Sequence, residues 1–408
     1  MTLTESLKAQ ALEGATAYQQ RNDTLSSLRD AGRDALENLP FPDKKSERWK
    51  YTSLIKLQDG HLAKQAHKTS ELSTADVPDF GGAQLVITNG ALPATLPKID
   101  GVIFSTLSAD NSSVTKELTP FSGFNAATLQ DGLNIHVAKG AQIKQALHIV
   151  YVGESDTPAS AATRVNVTLE ENSAFTLIEH YVGTGPALTS AITRIHVGGN
   201  AELTHYRLQS ESAETLHISE LDIQQQRDSR VRSYQLMKGN VLRRNDVRVW
   251  MNEPGADLVI RAVFLARDSS HIDNNVCIEH ASPHCTSDQI FKGIAGETGK
   301  AVFNGRIHIH PGAKGTDAQL SNKNLLLANT AEIDSKPELE IYNDDVKCGH
   351  GTTIGQMDSE QLFYLRSRGV DAEQAKRMLG IGFINELILS LPNEAIAEWA
   401  RAWLGESL

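Results

Sequence analysis

The chain has 408 residues, and 50 Asp and Glu against 39 Lys and Arg give it a formal net charge of −11. That balance favours solubility and argues against a general nucleic-acid surface, which needs a strong basic stripe, although Arg243, Arg244 and Arg248 could form a local patch. Three cysteines (Cys277, Cys285, Cys348) make no dense disulfide framework, and neither a leader-like N-terminus nor a run of about 18 apolar residues occurs, so a cytoplasmic chain without direct membrane contact is expected.

Residues 1 to about 38 read as helical, because Leu3, Leu7, Leu12, Leu25, Leu28, Ala31, Ala35 and Leu36 recur at roughly helical spacing. Leu39-Pro40-Phe41-Pro42 ends that pattern, since proline removes a donor and restrains the residue before it. A charged, aromatic stretch follows, Lys44 to Leu54 (KKSERWKYTSL). Residues 70 to 130 are rich in Ser, Thr, Pro, Asp and Gly and read as an irregular α/β segment.

From about Leu133 to Asp345 the texture changes to short alternating or β-branched runs separated by Gly, Asn, Asp or Ser turns. Two Thr-Arg starts, at 163–164 and 193–194, lie 30 residues apart, and later turn points near Ser229, Gly255, Ser282 and Gly312 continue a similar interval. No repeat is exact at residue level. A coarse period of this size with short strands favours a β-solenoid over the competing β-sandwich. The ends of such a stack are exposed edges that must be covered or used.

After Gly369 the period becomes helical again. Asp371 reads as a cap, and Ala375, Leu379, Gly382, Phe383 and Leu387 mark one face of a helix that stops before Pro392. A second helix, 394 to 404, carries Trp399 and Trp403 four residues apart on one face. They suit either the core of a small bundle or a docking face. The expected organisation is an N-terminal helical and irregular region at 1–130, a solenoid at 131–350 and a helical domain at 351–408.

The chemistry concentrates at the solenoid exit. In an extended segment Cys348 and His350 share a side, so a thiolate and an imidazole can aim at one point. That pair suits iron, zinc or copper, yet two donors are half a site, and a buried cysteine beside a satisfied histidine is the plainer reading. Cys277, His280, His284 and Cys285 (CIEHASPHC) have zinc-ligand types at a non-standard spacing. Pro283 and strand alternation favour core cysteines with exposed histidines there. Ile307 and Ile309 should point inward, leaving His308 and His310 as an outward polar pair or an auxiliary metal contact. Arg243, Arg244, Arg248 and Glu253 read as a solvated rim. No phosphate loop, dinucleotide fingerprint, H-E-x-x-H or G-x-S-x-G is present, so a free-standing hydrolase or dehydrogenase has little support.

The string KPELEIYNDDVKCGHGTTIGQMDSEQLFYLRSRGV, with FNGRIHIHPGAKGTDAQLSNKNLLLA and ERWKYTSL, resembles the SufB/SufD family of the SUF iron–sulfur cluster assembly system. Having no cysteine before Cys277, the chain looks closer to the SufD side. The resemblance implies a mainly β protein, a right-handed parallel β-helix flanked by N-terminal and C-terminal helical regions. It implies a non-ATPase subunit that pairs with SufB and docks SufC, the ATPase, on its C-terminal helices. Family members usually carry Cys-Ser-His-Gly where this chain has Cys348, Gly349, His350 and Gly351. His350 and Cys348 would then give one side of a transient iron or cluster site shared with SufB, with nothing tightly bound to the isolated chain. Arg366, Arg368, Arg377, Leu379, Phe383, Leu387, Trp399 and Trp403 would form the docking face. Flavin involvement comes with the resemblance and has no motif behind it, and self-association without the partner stays open. The alternatives are a stand-alone β-helical carbohydrate-active enzyme and a purely structural solenoid.

Overall fold

In the computed structural model, which describes residues 1–18, 21, 23–66, 77–108 and 118–408, successive strands from Leu133 onward alternate between two nine-stranded sheets. Neighbours within each sheet are parallel and come from consecutive coils, apart from Val102–Thr106, which runs antiparallel to Leu133–Val137 at one end. This is the β-solenoid expected from the texture. The coil length is not fixed at 30. It ranges from 26 residues, between Leu216 and Leu242, to 32, between Lys300 and Glu332. Thr163 pairs with Ala191 rather than Thr193, so the two Thr-Arg starts are offset by two positions in the ladder.

One corner of every coil is built the same way. Gly140, Asn172, Asn200, Asp228, Gly255, His284 and Gly315 all have positive φ, from 52° to 78°. Each donates its backbone N–H to a carbonyl of the next coil: Asn172 to Gly199, Asn200 to Arg227, Asp228 to Pro254, Gly255 to Pro283, His284 to Lys314. Asn, Asp and Gly tolerate this left-handed conformation best, which is why they punctuate the sequence at the coil interval.

The strands read as nearly continuous apolar runs because both faces are covered. Along Asp257–Ala266, Leu258, Ile260, Ala262 and Phe264 join the interior between the sheets, while Val263 and Leu265 meet the C-terminal helices. Each large side chain so buried contributes roughly 1.5–3 kcal/mol. Helices Leu3–Thr16, Ser26–Asn38 and Pro120–Ala127 seal the outer face of one sheet, packing Leu7, Leu36, Phe121 and Phe124 against Leu188, Leu216, Ile218 and Leu242. Helices Ala372–Leu389 and Glu394–Gly405 seal the other, placing Ile384, Leu387, Ile388, Ile396 and Leu404 on Ile178, Tyr206, Leu208, Val263 and Ile294. Asp371 caps the first of these by accepting from the Gln374 amide.

The segment read as irregular at 70–130 lies partly outside the described residues; its described part holds strands Ala83–Thr88 and Val102–Thr106 and helix Pro120–Ala127. Strand Ala83–Thr88 pairs with Leu147–Glu154 and belongs to the stack, which runs on to strand Val346–Gln356.

Two of the three arginines depart from the expected solvated rim, while Arg248 stays half-buried beside a cleft. Arg243 and Arg244 are buried, the first paired with Glu211 at 2.7 Å and the second with Asp246 at 2.7 Å and with Asp273. Trp49 of the ERWKYTSL stretch lies 4.4 Å from the Arg244 guanidinium, and Thr52 donates to Asp273. The N-terminal segment therefore closes over Arg244, and the ion pairs satisfy charges that its packing removes from water.

Gly255 tests the corner. A Cβ there would come 2.1 Å from Asp228 Oδ1 as well as meeting the left-handed strain. Gly255→Ala should cost about 1–3 kcal/mol, read as a lower urea midpoint, whereas His284→Gly should be neutral or stabilising.

Candidate functional site

Strand Val346–Gln356 is the last of its sheet, hydrogen-bonded on one side only, to Thr316–Leu326. Cys348 is in register with Ala318 and His350 with Leu320. Cys348 is half-buried against the end of the interior apolar stack, and His350, two residues on and exposed, shares its side of the strand. Burial, then the nearby Asp317, pushes the Cys348 thiol up, so it needs a cation or a metal to become a thiolate ligand. Among the described residues no group of three His, Cys, Asp or Glu donors includes either residue. Gly349 has no positive φ, and a Cβ would meet only Gln319 Oε1 at 3.0 Å. Serine is thus sterically close to acceptable at this departure from the usual family motif.

The edge around the pair is unusual. The other sheet ends on Glu332–Ile341, and Ile341, Tyr342 and Ile354 are exposed across this end of the solenoid.

The CIEHASPHC residues disperse. Cys285 is in the core and His280 is buried, bonded to Ser287 at 2.9 Å, while His284 occupies the left-handed corner and is exposed. Cys277 is buried on the outer face beneath Arg306, whose Nε lies 3.2 Å from Sγ; burial, then Glu279, pushes its thiol up to about 11. The expected exposure therefore holds for His284 alone, because alternation turns His280 inward. His308 and His310 do lie outward, with Ile307 and Ile309 buried, and both reach Glu279.

Two features escaped sequence reasoning. Inside the solenoid a polar chain interrupts the apolar stack: Glu179 accepts from Thr193 at 2.6 Å, Tyr181 at 3.0 Å and Tyr151 at 3.2 Å and meets His205 at 2.9 Å. Burial opposes its charge, but Arg207 and then these partners hold the carboxyl down at about 2. The signal was present as charged residues inside strands (IEHYV, THYRL), but which face they occupy needs the register. The second is a cleft of about 1510 Å³ between the Pro40–Trp49 segment and the sheet, lined by Arg48, Arg194, Glu220, Asp222, Arg248 and Cys277 among others.

The tail residues divide. Arg366, Arg368 and Arg377 are exposed, Leu379 and Phe383 half-buried and Leu387 buried on the solenoid. Trp399 and Trp403 stack at 4.7 Å; Trp399 lies against Phe80 and His180, and Lys238 sits over Trp403. In the tail the large exposed apolar side chains are instead Phe363 (74%) and Tyr364 (57%) on helix Ser359–Ser367, with Met378 and Leu389. No helix among the described residues is long and apolar enough to cross a membrane.

Comparison with known proteins is consistent across the chain. Residues 151–383 match the family described as SUF system FeS cluster assembly, SufBD core domain. The chain is 30% identical to the iron–sulfur cluster assembly protein SufD of Escherichia coli, covering 90% of this chain and 89% of that protein. It is 27% identical to an iron–sulfur cluster assembly SufBD family protein of Synechocystis, covering 95% and 91%. To SufD of Bacillus subtilis it is 26% identical, covering 96% and 95%.

The Trp399 contact generates a pH prediction. Beneath it His148 and His180 stack at 5.5 Å, held down by burial to about 4 and about 3, with Asp79 opposing for His148 and Glu211 for His180. Below pH 6.5 the unfolded chain binds protons that the folded chain refuses, so stability should fall from there towards pH 4 and stay flat above. Each histidine costs on the order of 3 kcal/mol by pH 4. Urea midpoints from tryptophan emission should show this. His148→Phe should reduce the loss, since Nε2 of His148 has no hydrogen-bond partner to sacrifice.

Proposed function

The chain belongs to the SufB/SufD family of the SUF iron–sulfur cluster assembly system, and from that premise we propose that it is the non-ATPase subunit that pairs with SufB through the open end of its solenoid. The observation that carries this reading is the unpaired edge of Val346–Gln356, which bears Cys348 and His350. An edge strand is a template for another strand. A partner strand there would lie beside both donors, so a composite site would gain the ligands this chain lacks. Incomplete ligation from each side also lets a cluster leave when the separation of the two subunits changes. In this role iron or the nascent cluster is cargo, ATP hydrolysis belongs to SufC, and the complex works in the cytosol, a placement that three free cysteines support.

SufC docking is assigned to the C-terminal helices, with Phe363 and Tyr364 as its apolar centre and Arg366, Arg368 and Arg377 as a charged rim. The supporting observation is that helix Ser359–Ser367 has no buried residue of its own. Leu387, Trp399 and Trp403 serve this face indirectly, by anchoring the helices to the solenoid.

Co-expression with SufB and SufC, followed by native mass spectrometry, should give one copy of this chain, one SufB and two SufC. A chain that stays alone while its partners fold removes the assignment. In that complex His350→Ala should lower reconstituted cluster yield roughly tenfold without changing stoichiometry, and Gly349→Ser should leave it near normal. Unchanged yield in His350→Ala would end the ligand role. Phe363→Ser with Tyr364→Ser should weaken SufC binding at least roughly tenfold while the urea midpoint holds, as both side chains are solvent-exposed.

A further inference from the structure

On the outer face of the sheet, remote in sequence from Cys348 and His350, three consecutive strands bring polar residues into register. Glu279 pairs with His308 and His308 with Glu340, while Cys277 pairs with Arg306 and Arg306 with Glu338. His310 follows on the same side, and its ring stacks on His308 with centroids 4.0 Å apart. Glu279 Oε2 then faces two imidazole nitrogens, His308 Nδ1 at 2.6 Å and His310 Nε2 at 2.9 Å. The three donor atoms lie within 4.8 Å of one another.

Hydrogen bonding satisfies this cluster only in part: His310 Nε2 bonds Glu279 Oε2 at 2.9 Å. His308 Nδ1 is buried and, despite its closeness to Oε2, has no aligned hydrogen-bond partner. Coordination asks for something else, lone pairs directed at one centre. Tetrahedral ligands at 2.0–2.1 Å from zinc sit roughly 3.3 Å apart, so small side-chain rotations would open the three donors around an ion.

The surroundings are those of a supported site. Arg306 Nη2 donates to Glu279 Oε1 at 3.0 Å and the Cys277 thiol donates to it at 3.2 Å, which fixes the carboxylate with Oε2 towards the imidazoles, where an ion would replace its hydrogen bond to His310 Nε2. Glu340 Oε2 lies 4.0 Å from the other nitrogen of His308, beyond a hydrogen bond but near enough for a side-chain rotation to make the carboxylate–histidine contact that orients a metal-bound imidazole. Tyr342 meets the His308 ring edge-to-face and Trp250 lies 6.0 Å from His310. Both histidines keep some exposure, so an ion has a way in.

We propose that Glu279, His308 and His310 form a binding site for a divalent first-row transition-metal ion, with two nitrogens and one carboxylate oxygen as ligands and an open position facing solvent. Two imidazoles and one carboxylate select zinc or ferrous iron over magnesium or calcium. The site belongs to this chain alone and does not depend on the partner-shared role of Cys348 and His350.

The full chain, stripped with chelator, would be titrated with Co²⁺ and then Zn²⁺, following the visible Co²⁺ bands and the bound-metal stoichiometry. One ion per chain is expected, with bands lost on Zn²⁺ addition. His310→Ala and Glu279→Gln should each weaken binding at least tenfold, while Cys348→Ser with His350→Ala leaves it unchanged. Circular dichroism and the metal-free urea midpoint would establish that each variant folds; His310, the more exposed ligand, keeps the test available if Glu279→Gln does not. Absence of a Co²⁺ site, or a site lost in the Cys348/His350 variant and kept in His310→Ala, overturns the proposal.

Discussion

The stacking of one coil on the next through a left-handed corner is the constraint on which the rest depends. Each corner residue spends its amide on the following coil, and the strands on either side inherit a parallel register from it. Register in turn decides which residue stands beside which across coils of 26 to 32 residues. Extra residues are absorbed between strands, so coil length varies while the ladders stay continuous. Three of the relations described above are vertical neighbours set by this register: Glu279 over His308, Arg244 beside Asp273, Cys348 beside Ala318.

A two-sheet solenoid has one interior and two outer faces, and the helices distribute function over them. The N-terminal helices cover one outer face and the C-terminal pair covers the other. Covering is selective. Thr52 and Trp49 reach Asp273 and Arg244, and Lys336 meets Glu47 at 2.7 Å, yet the Glu279, His308 and His310 group keeps partial access to solvent. Buried charge follows the same logic. Arg244 is raised because Asp246 and Asp273 outweigh the cost of its burial, whereas Asp273 is itself pushed up by burial despite Arg244 and Thr52. The network holds the N-terminal cover in place more than it adds net stability.

How much of this was readable depended on whether the signal was local. The solenoid was legible, because turn-forming residues recur near the coil interval and apolar runs fill the strands between them. The caps at Asp371 and the break at Pro40 and Pro42 were legible for the same reason. The burial of Arg243 and Arg244 is hidden in the sequence, because adjacent arginines look solvated until the partners Glu211 and Asp273, roughly a coil away in either direction, are placed. His280 and His284 differ by a turn that the sequence marks only with Pro283. The cluster at His308 needed Glu279 from the preceding coil, and nothing short of the register supplies that pairing.

The two free edges of the last coil differ in how they are guarded. Glu332–Ile341 (EIDSKPELEI) alternates charged side chains and contains Pro337, which removes a ladder donor; both devices discourage strand addition. Val346–Gln356 (VKCGHGTTIGQ) has one charged residue, Lys347, no proline and three glycines. Its backbone groups on the free side have no competing partner in the strand's own sheet. Strand addition on this end is therefore steered to one sheet, and that sheet is the one whose terminal strand holds Cys348 and His350. On the proposed pairing, the edge that would otherwise invite aggregation gains specificity from its guarded neighbour, since a strand added along Val346–Gln356 would arrive next to Cys348 and His350.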